Sequence, residues 1–372
     1  MPDFLDQINV TTRRYIRTNP ALVDNIFNQD PLNYFMRQSL REDFTGGSSI
    51  NEDFLYDSLI GGGYSKGKTF DVSQKQIEQQ LRFDMKFMEV AVPLYQEDIR
   101  VINKGPLAAI KLLKERVNVA YMTLGAFVSI SQYLNGVNAG YALGNINGLA
   151  EALNDGTVQS WDGNTYDVYG TLTRDAYAPS LNSIPQNLAG AAIEYDTIDL
   201  GYMDAFYGSG DYEPNLMVTT ARGFSYIKSK FQTQQRFQDV KLDVGVGFRG
   251  LSFNGATVVA SRYCPGSYIT GKQTGTQDKV AVTYLKQTTM GQVTTYPVGN
   301  LYPNNVPAES LFILNARKPF FNYYVSDDEM YGGGFRDFVP EAAGTSLVGL
   351  VLLAHNMTMD PRYHKQIYGF TS

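Results

Sequence analysis

One long amphipathic segment, residues 106–134, decides more about the architecture than any other part of the sequence. Its apolar side chains return at helical spacing, Pro106 occupies the first turn, where a helix tolerates proline, and Asn135-Gly136 ends the pattern. Such a helix spans about 40 Å, so we expect a long structural spine. The apolar positions are Ile110, Leu113, Val117, Ala120, Tyr121, Leu124, Phe127, Val128 and Leu134.

The stretch GGYSKGKT at residues 62–69 matches the nucleotide-binding pattern G-x-x-x-x-G-K-[ST]. A phosphate-binding loop needs a buried apolar strand before it and a helix that begins at the Lys-Thr pair. Here the upstream stretch DFLYDSLI is short and acidic, and downstream apolar and polar residues alternate, which predicts a strand with one buried face. That face consists of Leu81, Phe83, Met85 and Phe87. We therefore interpret residues 62–69 as a glycine-hinged hairpin tip. A P-loop nucleotide-binding protein is the alternative that only the pattern match supports.

The remaining segments mix helices and strands, which is typical of an α+β protein. Residues 1–45 contain one or two short helices separated by Pro20 and Pro31, and they are too polar to form a core of their own. INGLAEALNDG predicts a short helix, and NLMVTTARGFSYIKSKF predicts a strand followed by a helix. GLSFNGATVVA predicts two strands around a turn at Asn254-Gly255.

The C-terminal third reads mainly as β-structure. Residues 267–308 are rich in Thr, Gly, Gln and Val, with alternation in KVAVTYLKQTT, and predict a β-hairpin insertion. Strand-like ESLFILNARKPFFNYY follows, then a glycine hinge at residues 332–334 and the apolar strand SLVGLVLLAHNM.

Charge and cysteine content limit the classes of function. The chain has 372 residues, with 31 basic against 37 acidic, a formal charge of −6. This charge balance does not predict a basic surface that binds nucleic acid from outside, although it is compatible with DNA enclosed nearby. The single cysteine, Cys264, excludes an intramolecular disulfide and fits a reducing cytoplasm. The N-terminus lacks a signal-peptide pattern and the longest apolar run is about half a membrane span, so we expect neither secretion nor membrane insertion.

Four stretches in this order resemble the major capsid protein of tailed bacteriophages, the Hong Kong 97 fold. They are the glycine-rich loop followed by FDVSQKQIEQQLRFDMKFMEVAVPLY, the helix KGPLAAIKLLKERVNVAYMTLGAFVSISQYLNG, the segment INGLAEALNDG to YGTLTRDAYAP, and NLMVTTARGFSYIKSKF with GLSFNGATVVASRYCPG. The likeness covers almost the whole chain. It implies an N-terminal arm, an extended hairpin called the E-loop, a peripheral domain with a spine helix, and an axial domain.

The resemblance also implies domain bounds. These are 1–45 for the arm, 46–95 for the E-loop, 96–180 for the peripheral domain with its spine at 106–134, 181–335 for the axial domain, and 336–372 for the strand that returns to the peripheral domain. The implied function is structural, not enzymatic: self-assembly into pentamers and hexamers of an icosahedral head that encloses double-stranded DNA without sequence specificity. An encapsulin-like compartment holding cargo enzymes is the alternative, and the 267–308 insertion favours the phage.

A shell protein implies a location and partners. We expect assembly in the host bacterial cytoplasm, a place in the virion, a portal, no cofactor, and room for a decoration protein. Because only about fifty residues precede the hairpin, we expect a separate scaffolding protein. The expected contacts between subunits involve Gly62, Tyr64, Lys66, Lys68 and Phe70 on the hairpin, and Arg13 and Arg14 on the arm.

Some members of the family join a hairpin lysine to a neighbour's asparagine. The residue types that form this bond are present here: Lys66 and Lys68 lie at the tip, and Asn356 lies on the last long strand. No carboxylate can be assigned a catalytic role. The alternative is that these lysines contact carboxylates of a neighbour. Arg13, Arg14 and Arg17 face either packaged DNA or another subunit, and the sequence does not distinguish between these two alternatives.

Three further sets of residues have competing interpretations. His355, His364 and Cys264 could hold zinc, but their spacing fits no familiar site, and nothing marks an electropositive pocket that would make Cys264 a nucleophile; a structural thiol is the default. Trp161 and the Tyr-rich residues 195–212 could stack on bases. They lack interleaved basic residues, which favours packing or subunit contact.

Overall fold

The computed structural model describes residues 4–18, 30–67, 69, 73–95, 97, 106–136, 146–232, 250–266, 286–289, 292–295, 309–340 and 346–371. Its helices are α1 (Phe4–Thr18), α2 (Pro31–Gln38), α3 (Pro106–Ser131), α4 (Leu149–Ala152), α5 (Tyr195–Asp204) and α6 (Ala221–Gln232). Short 3-10 turns lie at Arg174–Tyr177, Gly210–Tyr212 and Pro361–Tyr363.

The strands in the first half of the chain are β1 (Arg41–Phe44), β2 (Ile50–Leu55), β3 (Glu78–Phe83), β4 (Lys86–Tyr95), β5 (Val168–Tyr169), β6 (Leu172–Thr173) and β7 (Gln186–Asn187). Those in the second half are β8 (Leu216–Thr219), β9 (Gly250–Phe253), β10 (Ala256–Ala260), β11 (Lys286–Thr289), β12 (Gln292–Thr295), β13 (Glu309–Leu314), β14 (Phe321–Ser326), β15 (Gly332–Pro340), β16 (Ser346–Met359) and β17 (Lys365–Phe370).

The predicted apolar strand β16 is the axis of a five-stranded sheet. On one side it pairs antiparallel with β4, and on the other with β14 and β15 in succession. β14 and β15 therefore run in the same direction as two halves of one interrupted strand, and β1 adds to β14 in parallel. Nearly all side chains of β16 are buried, and this burial of both faces explains its nearly continuous apolar sequence.

The predicted spine helix exists as α3 and packs against β4 and β16 of this sheet. The side chains that face the sheet are those of the sequence pattern, and they are buried: Leu113, Val117, Tyr121, Leu124 and Val128. The helix ends at Ser131, and a turn carries the chain on to Asn135-Gly136. In the described part of the chain, no helix is both long enough and apolar enough to cross a membrane.

A six-stranded sheet of order β7-β17-β13-β8-β10-β9 forms the second body of the fold. Met217, Ile313 and Ile367 lie in a core shared with α5 and α6, whereas Leu216, Phe312 and Leu314 belong to the larger core that contains α3. Burial on both faces explains the apolar runs LMV and LFIL. The predicted strand-then-helix at β8 and α6 and the hairpin at Asn254-Gly255 are confirmed.

Two local expectations need correction. Phe87 does not share a face with Leu81 and Phe83: the chain breaks pairing at residues 84–85, β4 restarts against β16, and Phe87 is 62% exposed while Met88 is buried. The glycines at 332–334 are no hinge but the bulged start of β15. A side chain at Gly334 would put its Cβ 2.1 Å from the Glu329 carbonyl oxygen, so the close backbone approach requires glycine.

The N-terminal arm expected at residues 1–45 also differs from what is found. Residues 30–44 are integral to the body: Leu32, Met36 and Leu40 are fully buried, and β1 is part of the main sheet. The prediction considered only the polarity of this segment, whereas the apolar face of α2 packs against α3 and β14. Of the predicted insertion at 267–308, only the antiparallel pair β11–β12 lies within the described residues.

Candidate assembly surfaces

The β2–β3 hairpin ends in an exposed loop. β2 pairs antiparallel with β3 from Ile50↔Phe83 to Leu55↔Glu78, and residues 56–65 have no regular structure. A Cβ at Gly61, Gly62 or Gly63 would meet no atom within 4 Å. Three apolar side chains project into solvent here: Leu59 (70% exposed), Ile60 (50%) and Tyr64 (71%). The loop therefore presents an apolar tip to solvent.

The base of this hairpin is fixed to the body. The Arg362 guanidinium donates to the Leu55 carbonyl (3.0 Å) and lies 5.4 Å from the centre of the Phe54 ring. The Ser180 hydroxyl donates to the Tyr56 carbonyl (3.2 Å), and the Tyr56 ring meets Tyr177 edge to face. A cation over an aromatic face and hydrogen bonds to backbone carbonyls each stabilise the base by about 1 kcal/mol. The body thus holds the hairpin in one direction while its tip stays exposed.

An ion pair joins the two arms of the loop just beyond the strands. The Lys75 ammonium lies 2.6 Å from the Asp57 carboxylate, and the Tyr56 hydroxyl donates to the Gln76 carbonyl at 3.0 Å. The lysine hydrogen bond lowers the pKa of Asp57 below its usual value. These contacts keep the arms together past Leu55, so that Leu59 and Tyr64 are presented on one projection.

The predicted contact residues are only partly described. Gly62, Tyr64 and Lys66 are exposed on the loop, and Lys68 and Phe70 lie outside the described residues. No helix follows residue 69 within the described part: residues 73–77 are irregular and lead into β3. The P-loop interpretation is wrong, because a phosphate-binding loop requires a helix N-terminus at that point.

The two arginines of α1 occupy different positions. The Arg13 guanidinium forms an ion pair with Asp337 of β15, and this raises the pKa of Arg13. Arg14 is exposed on the next position of the helix. The structure thus gives Arg13 a partner on its own chain, while its predicted role between subunits stays a prediction.

The proposed cross-linking residue Asn356 is fully buried. Its Nδ2 donates to the Asp84 carbonyl (2.7 Å) and to Asn147 Oδ1 (2.9 Å), and its Oδ1 accepts from the backbone N–H groups of Asn147 (3.0 Å) and Met357 (2.8 Å). Every hydrogen-bonding position of this carboxamide is used to join β16 to neighbouring loops. The cross-link stays a prediction that would require these bonds to break.

Both histidines are buried in the sheets. Tyr323 and Met88 contact the two ring nitrogens of His355, at 2.9 and 3.2 Å. His364 Nδ1 accepts from the Asn315 N–H (3.0 Å), which leaves Nε2–H to donate to the Phe320 carbonyl (3.1 Å). Burial lowers the pKa of His355 to about 3 and that of His364 to about 4, so both rings are neutral at pH 7.

The other candidate residues have structural surroundings. Cys264 is buried, and burial raises the pKa of its thiol well above the usual value, the opposite of what a nucleophile needs. Trp161 is 1% exposed, which fits packing, and Tyr202 is buried against Phe253. Among the described residues no group of histidine, cysteine and carboxylate side chains could hold a metal ion.

Sequence reasoning missed one buried acid. Asp30 caps α2 through the Leu32 N–H (3.1 Å), accepts from Gln132 at the end of α3 (3.0 Å), and binds the Ser261 hydroxyl beyond β10. Burial raises the pKa of Asp30 to about 6. The dipeptide Asp30-Pro31 is a helix-start signal that could have identified the cap, but not its two distant partners.

Comparison with solved structures identifies the fold. The capsid asymmetric unit of cyanophage A-1(L) matches with a TM-score of 0.59 and 10% identity, covering 92% of this chain and 93% of that one. The capsid of the native GTA particle matches at 0.51 and 10%, covering 91% and 90%. The holo-SrpI encapsulin complex of Synechococcus elongatus PCC 7942 matches at 0.51 and 8%, covering 91% and 87%. No protein-family model and no curated protein matches the chain.

These matches extend over the whole architecture described above, not over a single sheet. The chain therefore has the Hong Kong 97-type fold of viral and encapsulin shell subunits. The predicted fold class is confirmed, whereas the division into arm, E-loop, peripheral domain and axial domain stays a prediction.

Proposed function

We propose that this chain is the major capsid protein of a tailed bacteriophage, a structural subunit that assembles into an icosahedral shell around double-stranded DNA. One observation carries the proposal beyond the fold: the firmly anchored hairpin presents Leu59, Ile60 and Tyr64 to solvent. Exposed apolar groups on a fixed projection mark a protein contact site. A neighbouring copy of the chain is the partner that a closed shell supplies.

The remaining partners follow from this role. Assembly takes place in the host bacterial cytoplasm, with a separate scaffolding protein, a portal and room for a decoration protein, and the finished location is the virion. The role requires no catalytic centre. Each subunit contributes through its interfaces.

Electron microscopy of the chain expressed with the genes next to its own tests the proposal. Wild type should give closed shells, and Leu59→Asp should give unassembled subunits, because a charge at the tip cannot be buried without a partner. The matched control is Ser65→Asp, which adds the same charge to an exposed position of the same loop. Uniform monomers from wild type, or shells from Leu59→Asp, would contradict the proposal.

An encapsulin-like compartment is the second candidate, because the SrpI encapsulin shares the fold. The two candidates differ in content. Nucleic acid extracted from particles purified from infected or lysogenic cells supports the phage head, whereas particles that contain protein cargo and no genome support the compartment.

A further inference from the structure

Two neighbouring helices concentrate positive charge in an acidic chain. α1 and α3 together carry six of the 31 basic residues but only two of the 37 acidic ones, Asp6 and Glu115. All six basic residues lie in the C-terminal half of α1 or the N-terminal half of α3, and five of them are Arg13, Arg14, Arg17, Lys111 and Lys114. The sixth, Arg116, directs its guanidinium to the Pro93 carbonyl.

Packing brings these two half-helices together. The Lys114 ammonium lies 5.0 Å from the centre of the Tyr15 ring, so the basic turn of α3 adjoins α1 next to Arg14. Ile8, Tyr15 and Ile16 pack against the core, whereas Arg13 and Arg14 are on the exposed side of α1. We call the surface formed by Arg13, Arg14 and Lys114 the basic face.

The basic face also has acidic neighbours. Asp337 pairs with Arg13, and Glu115 is exposed beside Lys114. The Arg13 side chain remains 70% exposed in that pair. Solvent screens an ion pair at an exposed arginine, so a phosphate can replace the carboxylate.

We infer that the basic face binds the phosphodiester backbone of the enclosed duplex DNA. The inference rests on the proposed function and names the surface that meets the genome. The described side chains of the face end in guanidinium and ammonium groups, and the neighbouring Tyr15 ring is half-buried against Lys114, which suits phosphates and not bases. Binding is therefore independent of sequence and falls steeply with salt.

An acidic protein is the competing partner, because Val119 (57% exposed) and Met122 (46%) also face solvent on α3. They lie one to two turns beyond Lys114 towards the helix C-terminus, so an anion on the basic turn does not need them. Arginine guanidinium groups also match phosphate geometry better than they match a flat apolar contact.

Fluorescence anisotropy of the purified full-length chain with a 20-bp duplex of mixed sequence tests the inference at several salt concentrations. Arg14→Glu with Lys114→Glu reverses two charges on the basic face. The matched control, Arg222→Glu with Lys228→Glu, makes the same change on the exposed side of α6. We expect wild-type dissociation constants near 10⁻⁴ to 10⁻⁶ M at physiological salt, and a salt slope that the basic-face variant reduces by about two.

The control variant should keep the wild-type slope and an affinity within about threefold of wild type, against a loss of at least about tenfold for the basic-face variant. Equal losses in both variants, or no salt-dependent binding by wild type, would overturn the inference. So would tighter binding of polyglutamate than of DNA at equal charge concentration, which would assign the face to an acidic protein. Failure here leaves the proposed function standing if wild type still forms shells, because shell formation is measured separately.

Discussion

The side chain of Asn9 pairs with both backbone groups of Phe338. Its Oδ1 accepts from the Phe338 N–H at 3.0 Å, and its Nδ2 donates to the Phe338 carbonyl at 3.3 Å. β15 is the last strand of its sheet in the described part of the chain, so these groups would otherwise face an open edge. A helix-borne carboxamide thus takes the place of a neighbouring strand, and it protects an edge that could pair with another chain.

Asn9→Ala should loosen α1 from this edge. We expect the free energy of unfolding to fall by about 1 kcal/mol, because the Phe338 N–H and carbonyl lose their partner in a half-buried place. Hydrogen exchange should accelerate at Phe338 and along α1. Val10→Ala is the control, since Val10 is 63% exposed on the same helix. Unchanged exchange at Phe338 in the Asn9 variant would show that another group covers the edge.

Arg362→Lys should release the base of the hairpin while keeping its charge. Lysine cannot reproduce the planar contact with Phe54 and Tyr363, nor the fork that also binds Asp360 and the Leu55 carbonyl. We expect faster hydrogen exchange in β2 and β3 and a loss of stability of about 1–2 kcal/mol. Arg336→Lys, on β15 away from the hairpin, is the control. If hydrogen exchange in β2 and β3 equals that of wild type, the contacts of Arg362 do not hold the base of the hairpin.

The parts of the fold that were predicted from sequence have strong, local patterns. α3 keeps helical spacing over seven turns, β16 is an apolar run too long for a loop, and Asn254-Gly255 is a turn signal. Phe87 was assigned to the wrong face because pairing with β16, not alternation, sets the phase of β4. Such pairing is tertiary information, and nothing in residues 81–87 encodes it.

At the candidate site, the glycine clusters predicted the exposed loop, because an open turn depends on the local sequence. The contact between Arg362 and the Leu55 carbonyl could not be predicted, because some three hundred residues separate the two. Asn356 was considered for its chemistry alone, and its burial depends on residues 84 and 147. The sequence thus predicted which segment projects from the body. The contacts that orient this segment were found only in the structure.

Gly170→Ala should destabilise the chain more than Gly163→Ala. Both glycines have positive φ, 54° and 81°, so each substitution carries backbone strain of about 1 kcal/mol. Only at Gly170 would a Cβ also collide, at 2.7 Å from Phe83 and 2.8 Å from Leu81, where the hairpin meets the β5–β6 turn. We expect an additional loss of about 1–3 kcal/mol from overpacking, measured by urea unfolding. Equal losses at both positions would mean that Leu81 and Phe83 move aside freely.

The buried histidines make stability depend on pH, and the sign follows from their lowered pKa values. The unfolded chain binds protons near pH 6.5, whereas folded His355 and His364 stay neutral until about pH 3 and about pH 4. Their contribution is complete above pH 6.5 and is lost as pH falls towards those values. At pH 5 each histidine should cost on the order of 2 kcal/mol relative to pH 7. Asp30 acts in the opposite direction, because its pKa is raised to about 6 and the folded state takes up its proton first.

Urea unfolding of the full-length chain at pH 7 and pH 5 separates the two effects. His364→Gln, whose side-chain oxygen can still accept from the Asn315 N–H, should lose about 2 kcal/mol less than wild type between these pH values. Asp30→Asn should lose about 1 kcal/mol more, since it removes the group that gains stability on acidification. A pH dependence unaltered by either substitution would mean that neither buried group changes its proton affinity on folding.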